Sequence, residues 1–106
     1  MFEIYQDAKG EFRFRLKAKN GQNIMSSEGY SSKEGCKNGI ESVKKNSLSI
    51  DNFERTETTG GDFRFNLKAG NGQIIGTSQN YATAASRDNG IESVMNNAPD
   101  AQVVEV

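Results

Sequence analysis

The chain has no histidine, one cysteine and one proline among its 106 residues, and no uninterrupted apolar run of membrane-spanning length. Each lack removes a class of chemistry. Without imidazole there is no His general base, no Ser-His-Asp or Cys-His pair and no imidazole metal ligand. A lone Cys36 cannot close an internal disulfide or build a thiolate cluster, so nothing points to an oxidising compartment and a cytoplasmic location is expected. Met1 to Lys9 carries charged residues early and lacks the apolar stretch of a secretory signal. No phosphate-binding Gly-Lys-Ser or Gly-Lys-Thr, no dinucleotide Gly-rich fingerprint and no Cys-pair metal motif occurs, so neither a cofactor nor a metal is expected.

Charge of one sign is also missing. Thirteen Lys and Arg stand against 14 Asp and Glu, a formal net charge of -1, so the whole molecule does not attract nucleic acid or anionic lipid and only a local patch could. Hydrophobic residues reach 34%, lean but sufficient with the 11 glycines for one modest core. A chain of this length makes a single domain of marginal stability.

What is present is a repeat. Gly10 to Ala18 (GEFRFRLKA) lies over Gly61 to Ala69 (GDFRFNLKA), and the same offset matches Asn20-Gly21-Gln22 with Asn71-Gly72-Gln73, Tyr30 with Tyr81, and Asn38 to Val43 with Asn89 to Val94. About 20 identities over about 37 positions, with no gap, mean two copies of one supersecondary unit, about 1–50 and 51–106. Phe12, Phe14, Leu16 and Ala18 alternate with Arg13, Arg15 and Lys17, a period of two that puts apolar groups on one sheet face and cations on the other; Phe63, Phe65, Leu67 and Ala69 repeat it. Asn20-Gly21 and Asn71-Gly72 are expected to supply two positive-φ positions of tight hairpins, returning Gln22 to Glu28 and Gln73 to Gln79 as partner strands with Ile24 and Ile75 inward. Phe2 to Gln6 and the weaker Phe53 to Thr58 read as opening strands. Ser32 and Thr83 are N-caps of helices ending near Asn46 and Asn97, the first burying Cys36, Gly39, Ile40 and Val43. Gly39 and Gly90 imply a close backbone approach to a strand. Gln102 to Val106 is a closing strand, matching Asp51 to Arg55. Neither unit can bury its own sheet and helix, so two must share a core about an approximate two-fold axis, making the chain an internal pseudo-dimer that is expected to be monomeric.

The segments GEFRFRLKAKNGQ and KNGIESVKKN resemble the YegP-like family of small bacterial proteins, of uncharacterised function, over nearly the whole chain. The resemblance implies an α+β fold with one antiparallel sheet, both helices on one face and closing strands exchanged between the units. The second copy departs from the first at Arg55-Thr56, where the first has Ile4-Tyr5, and at Arg87-Asp88, where it has Cys36-Lys37.

Several residues carry a functional reading beside a plainer one. Arg13, Arg15 and Lys17, with Arg64 and Lys68 in the other copy, form a cationic face able to hold carboxylate or phosphate, or simply to keep a half-exposed sheet soluble. Phe and Tyr are not interleaved with these cations, which weighs against stacking of single-stranded RNA. Cys36 is either a thiol activated near a helix start or a small buried apolar residue. Glu41 and Glu92 could form a carboxylate pair, or sit in solvent with Glu41 paired to Lys45. Tyr30 and Tyr81 could line a pocket or anchor the helix entrances. The expectation is a non-catalytic binding module without membrane contact, its partner an acidic protein or a nucleic acid. Weak RNA binding, or a minor enzyme at the junction of the units using carboxylates or Tyr, are the alternatives.

Overall fold

The computed structural model describes residues 1–106. The first unit runs β1 (Phe2–Gln6), β2 (Phe12–Lys17), β3 (Asn23–Ser26) and α1 (Lys33–Asn46); after one 3-10 turn, Ile50–Asn52, the second runs β4 (Phe53–Glu57), β5 (Phe63–Lys68), β6 (Ile74–Ser78) and α2 (Ala84–Asn97), and β7 (Val103–Glu105) closes the chain. All strands join one sheet in the order β4-β5-β6-β3-β2-β1-β7. The α+β architecture of two repeats is therefore as expected, with two differences, the first being that the sheet is mixed. Strand β7 lies parallel to β1, Phe2 opposite Val103 and Ile4 opposite Glu105, whereas every other pairing is antiparallel. The exchange of closing strands is also one-sided. The segment after α1 becomes β4, the opening strand of its own neighbour, and forms the far edge of the sheet.

The hairpins explain their own sequence. Gly21 and Gly72 have φ of +84°, but no non-glycine residue has positive φ, so Asn20 and Asn71 do not take the second positive-φ position expected of them. Gly21 N–H donates to Ala18 and Ala18 N–H to Gln22, a three-residue loop ending in a left-handed glycine, while the Asn20 side-chain oxygen accepts from Gln22 N–H at 3.0 Å. The sequence Asn-Gly suits either turn, and the alternative chosen keeps Asn20 in an ordinary conformation.

The helices begin where the hydroxyls dictate. Ser32 Oγ accepts from Gly35 N–H and Thr83 Oγ1 from Ser86 N–H, each at 3.0 Å, satisfying an amide that the first helical turn leaves free. Helix α1 lies on β2 and reaches across to β5 and β6; α2 lies on β5 and reaches β3. Each helix thus covers strands of both units, and Phe2, Phe14, Leu16, Ile40 and Val43 join Phe53, Phe65, Leu67, Ile91 and Val94 in a single buried cluster. That is why neither unit closes alone.

Gly39 and Gly90 are close-approach positions, where a tyrosine comes nearest and a strand phenylalanine next. A Cβ on Gly39 would overlap the Tyr30 hydroxyl and sit 3.2 Å from Phe14, and Gly90 meets Tyr81 and Phe65 in the same way. Tyr30 stacks on Phe14 and Tyr81 on Phe65, both with ring centroids 6.3 Å apart. The tyrosines anchor the helix entrances, and burial pushes both phenols above their ordinary pKa.

The two units meet antiparallel at β3 and β6, where Ser26 faces Thr77, its own counterpart in the repeat. The pseudo-two-fold axis therefore passes between these two residues, through the middle of the sheet. No helix of the chain is long and apolar enough to cross a membrane.

Candidate binding site on the open sheet face

Both helices pack on the face that carries the phenylalanines, so the opposite face of the sheet is uncovered. The alternation in β2 and β5 places Arg13, Arg15, Lys17, Arg64 and Lys68 there. Four of these five are already engaged. Arg13 Nε donates to Asp7 Oδ2 at 2.8 Å and Arg15 Nε to Glu3 Oε1 at 2.7 Å; Lys17 Nζ lies 3.5 Å from the same Glu3 oxygen, and Lys68 Nζ 2.9 Å from Glu54 Oε2. The Arg13 guanidinium holds the Asp7 carboxyl below its ordinary pKa, and the hydrogen bond from Arg15 does the same to Glu3. Such a row is a set of cross-strand ion pairs, each facing a carboxylate from the neighbouring strand or turn. Its electrostatic reach is reduced, since three carboxylates, Glu3 shared by Arg15 and Lys17, offset most of the charge of these four cations.

Arg64 is different. It is the only one of the five arginines without an ion pair, and its Nε is buried with no hydrogen-bond partner. The cause lies in one substitution between the units. Asp7 does two tasks: Oδ1 accepts the N–H groups of Lys9 and Glu11, holding the turn, while Oδ2 takes the Arg13 guanidinium. Thr58 stands at the corresponding position, and its hydroxyl accepts Asp62 N–H at 3.1 Å. The turn keeps its cap, and Arg64 loses its carboxylate.

Arg64 lines a cleft of about 340 Å³ over the β3–β6 junction, with Ser26, Glu28, Thr77 and Gln79 among its walls. Those residues come from both units, and the cleft straddles the pseudo-two-fold axis. Its volume is at the low end of the range of small-ligand sites, and all its lining residues but Met25 are polar or charged in type. Sequence reasoning named Arg64 but missed Ser26, Glu28 and Thr77, which converge only through the β3–β6 pairing. It missed the Asp7–Thr58 contrast too, although the repeat alignment displays it.

Other sequence candidates are not brought together. Cys36 is fully buried and burial raises its pKa, so it behaves as a small apolar residue. Glu41 makes no ion pair with Lys45 or any other cation, contrary to the i,i+4 expectation, and Glu92 is likewise exposed and unpaired. No cluster of three acidic or cysteine side chains capable of holding a metal occurs. One aromatic does stand on the cationic face: Tyr5, opposite Arg13, with the Arg15 guanidinium 4.6 Å over its ring. That ring already carries a cation, which leaves little for a base to stack upon.

Ser27 and Ser78 also went unnoticed in the sequence, although they match between the copies. Each is buried, accepts the N–H of Phe14 or Phe65 at 2.9 Å and donates to the next residue's carbonyl, replacing ladder bonds where the sheet is interrupted.

Comparison with known proteins agrees with this architecture and its duplication. The domain of unknown function DUF1508 matches twice, over residues 7–54 and 59–105. A UPF0339 protein from the 5' region of the ptx operon of Stutzerimonas stutzeri is 65% identical over 105 residues, 99% of this chain and 95% of that protein. The UPF0339 protein YegP of Escherichia coli K12 is 48% identical over 102 residues, 96% of this chain and 93% of its own. The solution NMR structure of a UPF0339 protein from Shewanella oneidensis superposes with a TM-score of 0.93 at 44% identity, covering 98% of this chain and 88% of that one. With two DUF1508 units in tandem and relatives matching end to end, the chain belongs to the YegP-like UPF0339 family.

Proposed function

We propose that the protein is a non-catalytic interaction module whose open sheet face receives an acidic segment of a partner protein. The single observation that carries this reading is Arg64, a partly buried cation without a counter-ion at the edge of a polar cleft. Charge complementarity selects the occupant. A nucleic acid would need several free cations in a row, and here four of the five are held by the three carboxylates Glu3, Asp7 and Glu54. An acidic side chain needs one.

The test is a chemical-shift titration of the full chain with polyglutamate and, separately, with polyuridylate. Polyglutamate is expected to shift the amides of Arg64, Ser26 and Thr77 and to lose that effect in Arg64→Gln. Shifts confined to the helical face, or a response to polyuridylate that fades steeply with salt while polyglutamate gives none, would overturn the reading.

A further inference from the structure

Resting on that reading, we infer that the Arg64 cleft is a carboxylate site, in which a ligand's carboxylate accepts from the Arg64 guanidinium as Asp7 does from Arg13, approaching from the β6 side of Arg64 and not from the Thr58 turn. The repeat supplies an internal reference for the bound state. In the first unit the guanidinium Nε is the atom that donates to the Asp7 oxygen, at 2.8 Å. In the second unit the same atom is the one left buried without a partner. A buried donor deprived of its acceptor is unfavourable, and an external acceptor toward which the Arg64 side chain turns its Nε–H regains that loss on binding. Ser26 adds a hydroxyl on the axis side of the cleft and Gln79 an amide, so a carboxylate bound to Arg64 has further donors close by, whereas the Thr77 hydroxyl is already given to Asn66 Oδ1 at 3.0 Å.

Glu28 lines the same cleft and makes no ion pair. Glu28 and Arg64 together leave the cleft formally neutral, so each negative charge a ligand brings meets the Glu28 carboxylate as well as the Arg64 guanidinium, and a phosphate dianion is repelled more than a monocarboxylate. The chemistry is that of a single carboxylate, whether carried by a free acid or by a glutamate or aspartate side chain. Free acetate and polyglutamate separate those two sources.

The experiment follows the arginine Nε–H resonances of the isotope-labelled chain during titration with acetate and with inorganic phosphate. The Arg64 signal is expected to move and saturate with a dissociation constant on the order of 1 mM, while Arg13 and Arg15, already paired, stay still. Thr58→Asp, which gives Arg64 the carboxylate that Arg13 has, is expected to shift the Arg64 signal toward the Arg13 position and weaken acetate binding at least about 10-fold. The converse change, Asp7→Thr, is expected to make Arg13 responsive. An Arg64 resonance that ignores acetate, an acetate response unchanged in Thr58→Asp, or tighter binding of phosphate than of acetate would each overturn the carboxylate site. Failure here is distinct from failure of the broader reading. Polyglutamate that binds the open face equally well to wild type and Thr58→Asp removes this site and leaves the docking face. Acetate that saturates Arg64 while polyglutamate binds nowhere on the face does the reverse.

Discussion

The two outer edges of the sheet are built from equivalent strands and treated in opposite ways. Strand β1 is covered by β7, and beneath that cover Ile4 is 2% exposed and Cys36 fully buried. Strand β4, its repeat counterpart, has no strand on its outer side. At the positions of Ile4, Cys36 and Lys37 the second unit carries Arg55, Arg87 and Asp88, and these three residues form one ion-pair cluster: Arg55 Nε is 2.9 Å and Arg87 Nε 3.2 Å from Asp88 Oδ1. The Arg87 guanidinium also lies 5.3 Å over the Phe63 ring. The departures from the repeat are therefore not scattered drift. Where a strand supplies cover, Ile4 and Cys36 are apolar and only Lys37 is charged; where none does all three positions are charged, and an open edge lined with paired charges is a poor template for another chain.

Removing the cover should make the largest difference. A chain ending at Ala101 lacks β7, exposes Phe2 and Ile4 and leaves the outer backbone groups of β1 without partners, while offering no charges of the kind that protect β4. The expected loss is about 4 kcal/mol, from the apolar area of two side chains and the exposed ladder, and urea denaturation measures it. Stability within about 1 kcal/mol of the full chain would show that β1 does not depend on its neighbour and that the contrast between the edges has another origin.

A second contrast sits at the axis itself. Met25 is 1% exposed, and its repeat counterpart is Gly76, where an added Cβ would come within 2.6 Å of the Met25 sulfur. Two methionines related by the axis would compete for one space, so the pair is resolved as one large and one absent side chain. Met25→Gly should destabilise by about 3 kcal/mol through the cavity it leaves, and Gly76→Met by about 2 kcal/mol through overpacking. The exchange of both residues should recover most of either loss, because the side chain then enters the same space from the other strand. Additive losses in that double-mutant cycle would mean that the two positions do not share the space.

These contrasts mark the limit of what the sequence could show. Features set by neighbours along the chain were legible: Ser32 and Thr83 cap their helices, the glycines 21 and 72 take the left-handed turn position, and Phe12, Phe14 and Leu16 face away from Arg13 and Arg15. Features set by partners across the sheet were not. The sense of β7 against β1, the carboxylate facing each cation and the convergence of Ser26, Thr77 and Arg64 depend on strand order and register, which two identical motifs leave open. The cationic face could be named in advance, but its near-complete neutralisation could not, because Glu3 and Asp7 reach Arg15 and Arg13 only after β1 pairs with β2. Arg55, Arg87 and Asp88 were visible as departures from the repeat, without the reason that the open edge provides.

Converting the β4 edge to the composition of its counterpart gives the smallest expected change in folding and the sharpest one in behaviour. The triple variant Arg55→Ile, Arg87→Cys, Asp88→Lys removes the half-exposed Arg55–Asp88 pair and the more buried Arg87, which also covers Phe63, so a loss of about 1 kcal/mol and a small fall in melting temperature are expected. What changes is the edge. An isoleucine beside unpaired backbone groups, with no β7 to cover it, invites a second molecule to pair there, so a dimer or larger species is expected by sedimentation at concentrations where the wild type is uniform. Arg55 alone should carry much of the protection: in an antiparallel pairing of two β4 strands centred on that residue it would face its own copy, setting like charges directly opposite. Arg55→Ile should accordingly associate more than Asp88→Lys, which leaves that repulsion in place. If all three variants sediment as the wild type does, the charges at this edge are not what keeps it open, and the asymmetry between the two halves of the sheet would have to be explained by what binds there.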